Sequence, residues 1–570
     1  MSNQGLAKIL GEMAAFLDMK EVEFKPRAYE HAAFSVQSLE EGIGEIYKKG
    51  GLKALEDISG VGQGIAERIE EYIKTGHIKD YEKLKKQFPI EVEELMGIEG
   101  VGPKLVKKLY QELRIKNQDD LERAAKAGKL RGLEGLGEKS EQKILKGIEF
   151  LRQSHGRFLL GHILPTVRKM LDDLRGLPYI KRAEPAGSIR RMQETVGDLD
   201  ILVISDMPAK VMDYFVKMSE VQEILVKGPT KTSVRLKMGM NADVRVLPPE
   251  SFGAALQYFT GDKYHNIAVR EIAIKKGYKL NEYGLFKSKR LVAGKTEEEI
   301  YKKLGMEWME PEIRTNSGEI KSSFKGELPR LIGYDDLRGD LQVQTDWTDG
   351  EHSIKEMAEA AKKLGLEYIV ITDHTKRLAM AGGLDEKKLT KQMAEIDKVQ
   401  KQISGIKILK GSEVDILKDG TLDINDEVLA KLDVVGASVH SNFTMSEIEM
   451  TKRIIRAIEN PNIDILFHPT GRLIQKREPY KVNIDELIKA AKRTKTVLEV
   501  NAWPERLDLK DEYIRKAIDT GIKLAIDSDA HDISHFKFLE LGIAQARRGW
   551  SGKKDVINTR VWREMLKLLK

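Results

Sequence analysis

Three aspartates in the middle of the chain have the spacing of a metal site. Asp198 and Asp200 are separated by one residue at the start of an apolar run, and Asp243 opens a second run, Asp243–Leu247. Alternate side chains of a strand share a face, so the first two carboxylates point the same way. Neighbouring carboxylates repel unless a cation neutralises them. We therefore expect adjacent strands that bind two Mg²⁺ or Mn²⁺ ions.

The residues before the aspartate pair suit a phosphate. Gly187-Ser188 permits a close approach of the backbone, and Arg190 and Arg191 are available to neutralise charge. A lone Asp-x-Asp pair is usually only the exposed start of a strand. Together with a glycine-serine turn, two arginines and a third aspartate, it favours a two-metal site that acts on a triphosphate. One ion would lower the pKa of the attacking hydroxyl, and the other would hold a triphosphate.

A second group of possible ligands lies after residue 340. Four histidines, a glutamate and an aspartate each follow a predicted strand: His374, His440, His468, His531, Glu413 and Asp529. The carboxyl ends of the strands of a β/α barrel converge on one mouth. A lone histidine is most often structural, but four at one end indicate a metal site. Because the chain has no cysteine, any metal must be bound by His, Asp or Glu.

A glycine pattern recurs three times near the N-terminus, and a predicted helix follows each copy. Its glycine pairs are Gly60 and Gly62, Gly100 and Gly102, and Gly135 and Gly137. Glycine permits a tight turn that leaves the N-terminal amides of the next helix open to a phosphate oxygen. One copy fits an ordinary αα-hairpin equally well. Three copies favour binding of a nucleic-acid backbone without base readout, and lysines follow the later turns at Lys104, Lys107, Lys108, Lys139 and Lys143.

The elements that must position these residues change along the chain. Apolar residues three and four apart predict helices over about 1–150, followed by short strands from about 183 and a helix near 263–277. Residues 315–337 lack periodicity and are typical of a linker. After residue 340, amphipathic helices alternate with apolar strands, which predicts a parallel sheet or barrel. The predicted strands include Tyr368–Thr372, Ile406–Leu409, Val434–Ser438, Ile463–Phe467, Val497–Val500 and Lys523–Ile526.

Length and composition limit the class of protein. The 570 residues predict several domains, at about 100–200 residues each. Lys and Arg number 96 against 90 Asp and Glu, a weak excess that permits a polyanionic partner without demonstrating one. Apolar runs are far shorter than the ~20 residues of a membrane span, and the first residues do not resemble a signal peptide. We expect a cytoplasmic protein that does not bind membranes.

Residues 1–316 resemble the family X DNA polymerases of the nucleotidyltransferase superfamily, which include DNA polymerase beta. The match covers the aspartates, the Gly187-Ser188 turn, the YFTG segment at 258–261 and the sequence NEYGLF. The resemblance implies helix-hairpin-helix domains, an α/β palm and a thumb, and it places Arg270 against the template. The residues that it assigns to the incoming nucleotide are Gly187, Ser188, Arg191, Gly197, Tyr258, Phe259, Gly261 and Asn266.

The first domain departs from this family at one position. The family's phosphate-binding positions near the N-terminus are retained as Lys25 and Tyr29. Members with 5′-deoxyribose-phosphate lyase activity form a Schiff base with a lysine, where this chain has Arg68. A guanidinium stays protonated and is no amine nucleophile. The resemblance implies binding to the 5′ end of a gap, and Arg68 argues against lyase activity.

Residues 338–570 resemble the PHP domain, a distorted barrel that binds up to three metals and cleaves phosphoesters. The family opens with a His-x-His pair, which is replaced here by Gln342 and Gln344. Glutamine is a poor substitute for imidazole on Mn²⁺ or Zn²⁺. The resemblance gives a first metal Gln342, Gln344, Glu413 and Asp529, a second Glu413, His440 and His468, and a third Asp349, His374 and His531.

The predicted function is a DNA-directed DNA polymerase that fills short gaps during base excision repair. It would act as a monomer on gapped or primer–template DNA with dNTPs, with its PHP 3′–5′ exonuclease impaired by the two glutamines. Two alternatives remain: a PHP phosphoesterase whose front half delivers DNA, and a non-enzymatic scaffold that binds DNA ends. The expected segments are a lyase-like domain at 1–82, fingers at 83–152, palm at 153–249, thumb at 250–316, linker at 317–337 and PHP domain at 338–570.

Overall fold

The computed structural model describes residues 3–570 except positions 38, 40, 41, 59, 97, 99, 100 and 155. Its first part is helical, as the apolar spacing predicts. The helices are α1 Asn3–Met19, α2 Lys25–Gln37, α3 Ile43–Glu56, α4 Gln63–Thr75, α5 Lys79–Gln87, α6 Val92–Met96, α7 Pro103–Leu113, α8 Gln118–Lys126 and α9 Glu138–Ser154. One buried apolar cluster extends from Leu6 to Ile148. The boundary expected at residue 82 thus lies within one packed core, and the domain limits stay predictions.

The palm is built on a five-stranded sheet with the order β2-β4-β7-β6-β5. Its elements are β1 Phe158–Leu159, α10 Leu160–Arg175, β2 Ile180–Pro185, α11 Gly187–Arg190, β3 Thr195–Val196, β4 Asp198–Ser205, α12 Pro208–Phe215, β5 Val221–Lys227, β6 Lys231–Leu236 and β7 Asn241–Val246. Strands β4 and β7 are parallel neighbours. Their apolar residues pack under α10 and α12, which leaves the aspartate end of β4 facing outward.

The thumb combines helices with a small antiparallel sheet of order β10-β9-β8. Its elements are α13 Phe252–Thr260, α14 Lys263–Lys275, β8 Lys279–Asn281, β9 Gly284–Lys287, β10 Arg290–Ala293 and α15 Glu297–Lys303. The expected linker contains a short helix, α16 Glu319–Lys325. The buried Glu319 accepts a hydrogen bond from His265 at 2.8 Å, so this segment packs on the thumb. Seven residues are too few to produce a recognisable helical period, which explains why the sequence indicated only a linker.

The C-terminal part is a parallel seven-stranded sheet in sequential order, β11 to β17. A bridge between Val343 and Ala530 brings its two edges together and nearly closes a barrel. The elements are β11 Gly339–Val343, α17 Ile354–Lys363, β12 Tyr368–Ile371, α18 Glu386–Gln400, β13 Lys407–Asp415, α19 Asp426–Leu429, β14 Val434–Ser438, α20 Glu447–Ile458, β15 Ile465–Leu466, α21 Ile484–Thr494, β16 Val497–Asn501, α22 Asp511–Asp519, β17 Leu524–Asp527, α23 Leu539–Arg548 and α24 Trp562–Leu566.

The palm packs directly on the barrel. Glu194 of the palm accepts hydrogen bonds from Arg472 at 2.6 Å and from Gln545 at 2.8 Å. Leu507 and Leu541 of the barrel join the apolar cluster of the palm. In the described part of the chain, no helix is long and apolar enough to cross a membrane.

Candidate active sites

The three palm aspartates meet at one edge of the sheet. Asp200 on β4 lies directly opposite Asp243 on β7, and Asp198 begins β4 two residues earlier. Asp198 is exposed, whereas the other two are half-buried. Burial, followed by the charges of Asp198 and Asp243, raises the pKa of Asp200 to about 6. Three carboxylates that repel one another in a partly dry site fit divalent cations with oxygen ligands.

Two cations beside these aspartates were not predicted from the sequence. Lys231 Nζ lies 2.9 Å from Asp243 Oδ2, and Arg245 Nη2 lies 3.9 Å from the same oxygen. The Arg245 guanidinium also stacks 4.6 Å from the ring of Phe259. Lys231 reaches Asp243 because β6 pairs with β7 in a register that sets Lys231 opposite Arg245. That register is a property of the sheet, so the amino-acid pattern alone did not indicate it.

The glycine-serine turn approaches Asp200 closely. Gly187 has φ +62°, and a Cβ there would lie 3.4 Å from Asp200 Oδ2. Any side chain would therefore meet both backbone strain and the carboxylate. Ser188 follows in the short helix α11, and Gly197 immediately precedes β4; both are half-buried. The turn places backbone and a hydroxyl beside the aspartates, where a phosphate chain could lie.

The two arginines of this segment point in different directions. Arg191 donates a hydrogen bond to the carbonyl of Thr260, which joins the turn to the YFTG segment. Arg190 instead binds Glu297 of α15 at 2.7 Å and Thr260 Oγ1 at 2.7 Å. Arg190 is thus paired with Glu297 and not available to a phosphate, whereas the contact of Arg191 with a phosphate stays a prediction.

The YFTG segment ends α13 and faces α14. The rings of Tyr258 and Phe259 lie edge to face at 5.1 Å. Asn266 donates to the carbonyl of Tyr258 at 2.7 Å and accepts from Gln257 at 2.8 Å. Arg270 donates to the carbonyl of Asn266 at 3.2 Å. Gly261, with φ +71°, lies against the Arg191 guanidinium, where a Cβ would be 3.0 Å away. These contacts join the residues expected at the nucleotide to one another and, through Arg191, to the glycine-serine turn.

The three glycine turns have one geometry where they are described. In each, the middle residue donates to the carbonyl three residues earlier at 3.0 Å: Val61 to Ile58, Val101 to Ile98 and Leu136 to Leu133. Gly60 and Gly135 have φ +69° and +84°, and Gly100 lies outside the described residues. Gly62 and Gly102 cap α4 and α7 without a side-chain hydrogen bond, and Gly137 precedes α9. The helix amides are left without a side-chain cap at these two ends.

Several charged residues near these turns bind other groups of the protein. Lys107 binds Glu21 at 3.1 Å, and Lys108 binds the carbonyl of Glu134 at 2.7 Å. Lys25 is exposed at the start of α2, with the buried Tyr29 one turn later. Arg68 donates to Asp80 at 2.7 Å and to the Gly64 carbonyl at 2.5 Å. The position of the family's lysine is therefore occupied by a paired guanidinium.

The barrel mouth gathers the predicted ligands around Glu413. Its carboxylate lies 2.9 Å from His468 Nε2, 3.3 Å from His440 Nε2 and 3.2 Å from His374 Nδ1. Asp349 lies 3.6 Å from His374 Nε2 and 3.7 Å from His531 Nε2. Potential ligand atoms of Asp349, His374 and His531, and of His374, Glu413 and His440, lie within 4.8 Å of one another. The first set is the group expected for the third metal, whereas the second set contains His374 where His468 was expected for the second metal. Both sets fit a divalent metal ion.

The contacts in this mouth shift the pKa values of two predicted ligands. Although burial opposes it, hydrogen bonds to Asp415 and Glu413 raise the pKa of His440 to about 9. Despite its complete burial, Glu413 has a lowered pKa because of His374, His440 and His468. Asp415, which also accepts a hydrogen bond from the His440 amide at 3.3 Å, was not predicted. Its position two residues after Glu413, on the same face of β13, is the signal that could have identified it.

The two glutamines lie in the same mouth and are completely buried. Gln344 Nε2 donates to Glu413 at 3.0 Å, and Asn501 bridges Gln342 Oε1 at 3.2 Å and Asp529 Oδ2 at 3.1 Å. Gln342 Nε2 and Gln344 Oε1 have no hydrogen-bond partner within the described residues. The four residues expected at the first metal are thus together. An amide N–H pointing at Glu413 uses an oxygen that a metal would need, so this group fits an ion less well than the other two.

Family models match most of the chain. A helix-hairpin-helix domain matches residues 1–78, and a SAM-like helix-hairpin-helix tandem matches 52–116 and 92–149. The DNA polymerase beta thumb matches residues 255–315, and the PHP domain matches 340–503. These matches and the barrel confirm the predicted fold class.

The curated relatives match either the whole chain or a part of it. The DNA polymerase/3′-5′ exonuclease PolX of Bacillus subtilis (strain 168) is 36% identical over 575 residues, 100% of both chains. A probable phosphatase of Thermoanaerobacter sp. (strain X514) is 34% identical over 32% of this chain and 76% of its own. DNA polymerase lambda of Arabidopsis thaliana is 25% identical over 46% of this chain and 53% of its own.

Proposed function

Because the chain belongs to the family X DNA polymerases that carry a C-terminal PHP domain, we propose that its palm fills short gaps in DNA by nucleotidyl transfer. The observation that carries the proposal is the pairing of Asp200 with Asp243 beside Gly187, where three carboxylates lie next to a glycine backbone that approaches Asp200 closely. Divalent ions bound there would lower the pKa of a primer 3′ hydroxyl and neutralise the triphosphate.

Each residue near the aspartates has a separate role in this proposal. Ser188 and Arg191 contact the triphosphate, and the backbone at Gly187 and Gly197 allows it to lie close. Tyr258 and Phe259 line the sugar, with Gly261 at the end of their helix. Asn266 faces the base and Arg270 the template. The contacts among these residues support the proposal because they hold the nucleotide side of the site to the aspartate side.

The helical region would hold the DNA itself. Gly60, Gly62, Gly100, Gly102, Gly135 and Gly137 would present amides to backbone phosphates, and Lys25 and Tyr29 would bind the 5′ end of a gap. The same backbone hydrogen bond recurs in all three turns, which supports a common role for them in binding backbone phosphates. The enzyme would act in base excision repair as a cytoplasmic monomer, without lyase activity because Arg68 cannot form a Schiff base.

The barrel is proposed to be a 3′–5′ exonuclease that is weak as it stands. The second and third ligand groups would hold Mn²⁺ or Zn²⁺, which activates water and neutralises a phosphoester. His440 and His374 have to be neutral to serve as ligands, and Glu413 is shared between groups. Gln342 and Gln344 support the proposed impairment. The match of the PHP domain to residues 340–503 supports placing the phosphoester chemistry in the barrel.

A primer-extension assay tests the proposal directly. The protein is mixed with gapped DNA, Mg²⁺ and one dNTP, and a second reaction omits the dNTP. Templated addition that is lost in Asp200→Asn supports the polymerase. Shortening alone in both reactions would instead support a PHP phosphoesterase with a DNA-delivery front half. A mobility shift without any chemistry would leave a DNA-end-binding scaffold.

A further inference from the structure

A loop after β16 carries an arginine into the barrel mouth. Residues 502–509 are held on both sides of Arg506: the carbonyl of Glu505 accepts from the Ile474 amide at 2.6 Å, and the Asn501 amide donates to Asp508 at 2.6 Å. Leu507 is buried in the palm cluster, and its carbonyl accepts from Arg472. The backbone of Arg506 is therefore fixed between palm and barrel before any substrate binds.

The guanidinium of Arg506 faces an open cavity next to a predicted metal ligand. Its Nε lies 3.7 Å from Asp529 Oδ2, and the side chain is 20% exposed. Within the described part of the chain, no hydrogen bond to this guanidinium is formed. The cavity, of about 1100 Å³, is lined by Arg506 together with Asp349, Asp529 and His531.

The other cations of this cavity are engaged with the protein. Lys476 Nζ binds Glu505 at 2.6 Å, and Arg27 of the helical region donates to the carbonyl of Met380 at 3.0 Å. Arg506 differs from these two side chains because, within the described residues, its guanidinium makes no hydrogen bond and has only the 3.7 Å ion pair with Asp529. A guanidinium is always charged and presents a planar fork that matches two phosphate oxygens.

We propose that Arg506 binds the non-bridging oxygens of a DNA-end phosphodiester in the barrel mouth. It would do so on the side where Gln342 and Gln344 replace the usual histidines and weaken the binding of a metal ion. The inference rests on the proposed nuclease activity, and it adds the residue that binds the phosphodiester of the substrate. The charge of the guanidinium does not depend on a bound ion, whereas the two amides are uncharged and are poor ligands for one.

Equilibrium binding of inorganic phosphate tests this without catalysis. The full-length protein, Arg506→Gln and Arg506→Lys are titrated by calorimetry with Mn²⁺ present, after circular dichroism has shown equal folding. Arg493→Gln is the matched control, because Arg493 lies on the outer surface of the barrel and pairs with Glu459. The Gln variant should bind about ten- to a hundredfold more weakly, and the Lys variant should lie between. Equal affinity in Arg506→Gln, or no phosphate binding by the unsubstituted protein, overturns the proposal.

Hydrolysis assays then separate this inference from the proposed nuclease and name the source of the phosphate. With an oligonucleotide, Arg506→Gln should raise KM more than it lowers kcat, and the same change should matter less for the monoester p-nitrophenyl phosphate. An equal loss on both substrates would contradict a diester subsite. If phosphate binding depends on Arg506 but no variant degrades DNA, the nuclease proposal fails alone. If DNA is degraded and Arg506→Gln changes neither binding nor KM, the arginine proposal fails alone.

Discussion

The palm and the barrel both collect acidic side chains at the edge of parallel strands, but they do so at different depths. Asp198 is exposed and Asp200 and Asp243 are half-buried, whereas Glu413 and His468 of the barrel are almost completely buried. The palm offers oxygen ligands only, and the barrel offers imidazoles as well. A shallow oxygen site suits ions that arrive with each nucleotide. A deep site with imidazole and carboxylate ligands depends on each of them to bind its ions. The loss of one ligand should therefore lower the metal affinity more there than in the palm.

The two regions also neutralise their carboxylates differently. In the palm, Lys231 and Arg245 lie beside Asp243, and the like charges still raise the pKa of Asp200. In the barrel, three histidines surround Glu413 and lower its pKa. The palm site is therefore short of positive charge until ions bind. In the barrel site, the histidines stabilise the negative charge of Glu413, and among the described residues only the side of the two glutamines lacks such neighbours.

The largest expected effect concerns the shallow site. Replacing Asp200 by Asn should lower the rate of primer extension by about three orders of magnitude, since charge stabilisation by bound ions carries most of such catalysis. Hydrolysis by the barrel should not change. Single-turnover extension on gapped DNA measures the rate, and Asp213→Asn on the exposed face of α12 is the matched control. Near-normal extension by Asp200→Asn would show that the aspartates are not the reaction centre.

The second prediction restores the deep site. Gln342→His with Gln344→His should raise Mn²⁺-dependent 3′–5′ degradation about a hundredfold, because ligand changes of this kind alter metal affinity strongly. Primer extension should stay within about twofold. Metal analysis after gel filtration should show more bound ion in the double variant.

Two further variants control this restoration. Adding His440→Ala to the double variant should remove the gain, because the ions act as a cluster. Strong degradation by the unsubstituted protein that His440→Ala abolishes would show that glutamine is an adequate ligand here. The contrast between an intact palm and an impaired barrel would then be lost.

Much of the fold could be predicted because apolar periods survive in the chain. Strand β14 has the predicted bounds Val434–Ser438, and β16 extends one residue beyond the predicted Val497–Val500. Strand β11 was missed because Asp340, Gln342 and its glycine interrupt the apolar pattern, although all of its residues are buried. The predicted strand Ile406–Leu409 ended too early for the same reason. Strand β13 continues to Asp415, but Glu413 and Asp415 face the mouth instead of the core and therefore interrupt the apolar pattern. Polar functional residues thus interrupt the apolar pattern by which their own strands could be recognised.

The parts of the sites that could not be predicted depend on distant partners. The spacing of Asp198, Asp200 and Asp243 is local to two strands, so their placement followed from strand geometry. The direction of Arg190 depends on Glu297, 107 residues away. Lys231 depends on the register of β6, and Asn501 acts by linking Gln342 to Asp529 across the barrel. A single sequence contains no signal for such pairings.

A smaller effect tests whether both centres share one DNA-binding region. Gly137→Val places a side chain at the exposed start of α9, where a Cβ would meet nothing within 4 Å. It should weaken binding of unrelated DNA sequences by a few-fold and flatten the salt dependence. Gly132→Val, at an equally open position five residues earlier, is the control. Loss of extension with unchanged degradation would assign this turn to the palm alone, and unchanged affinity would make it a structural turn.

The last prediction compares the two centres through their pH dependence. A carboxylate or imidazole binds a cation only without its proton. With a pKa of about 6 for Asp200, the Mg²⁺ affinity of the palm should fall below pH 6 and level off above pH 7. With a pKa of about 9 for His440, the Mn²⁺ affinity of the barrel should keep rising through pH 7 to 9. Asp243→Asn removes a like charge, so it should lower the pKa of Asp200 itself, which an NMR titration without Mg²⁺ measures because the variant also lacks an expected ligand, and it should leave the barrel curve unchanged. Calorimetric titration of each ion between pH 5 and 9 measures both midpoints, and coincident curves would mean that depth and ligand type do not separate the two centres.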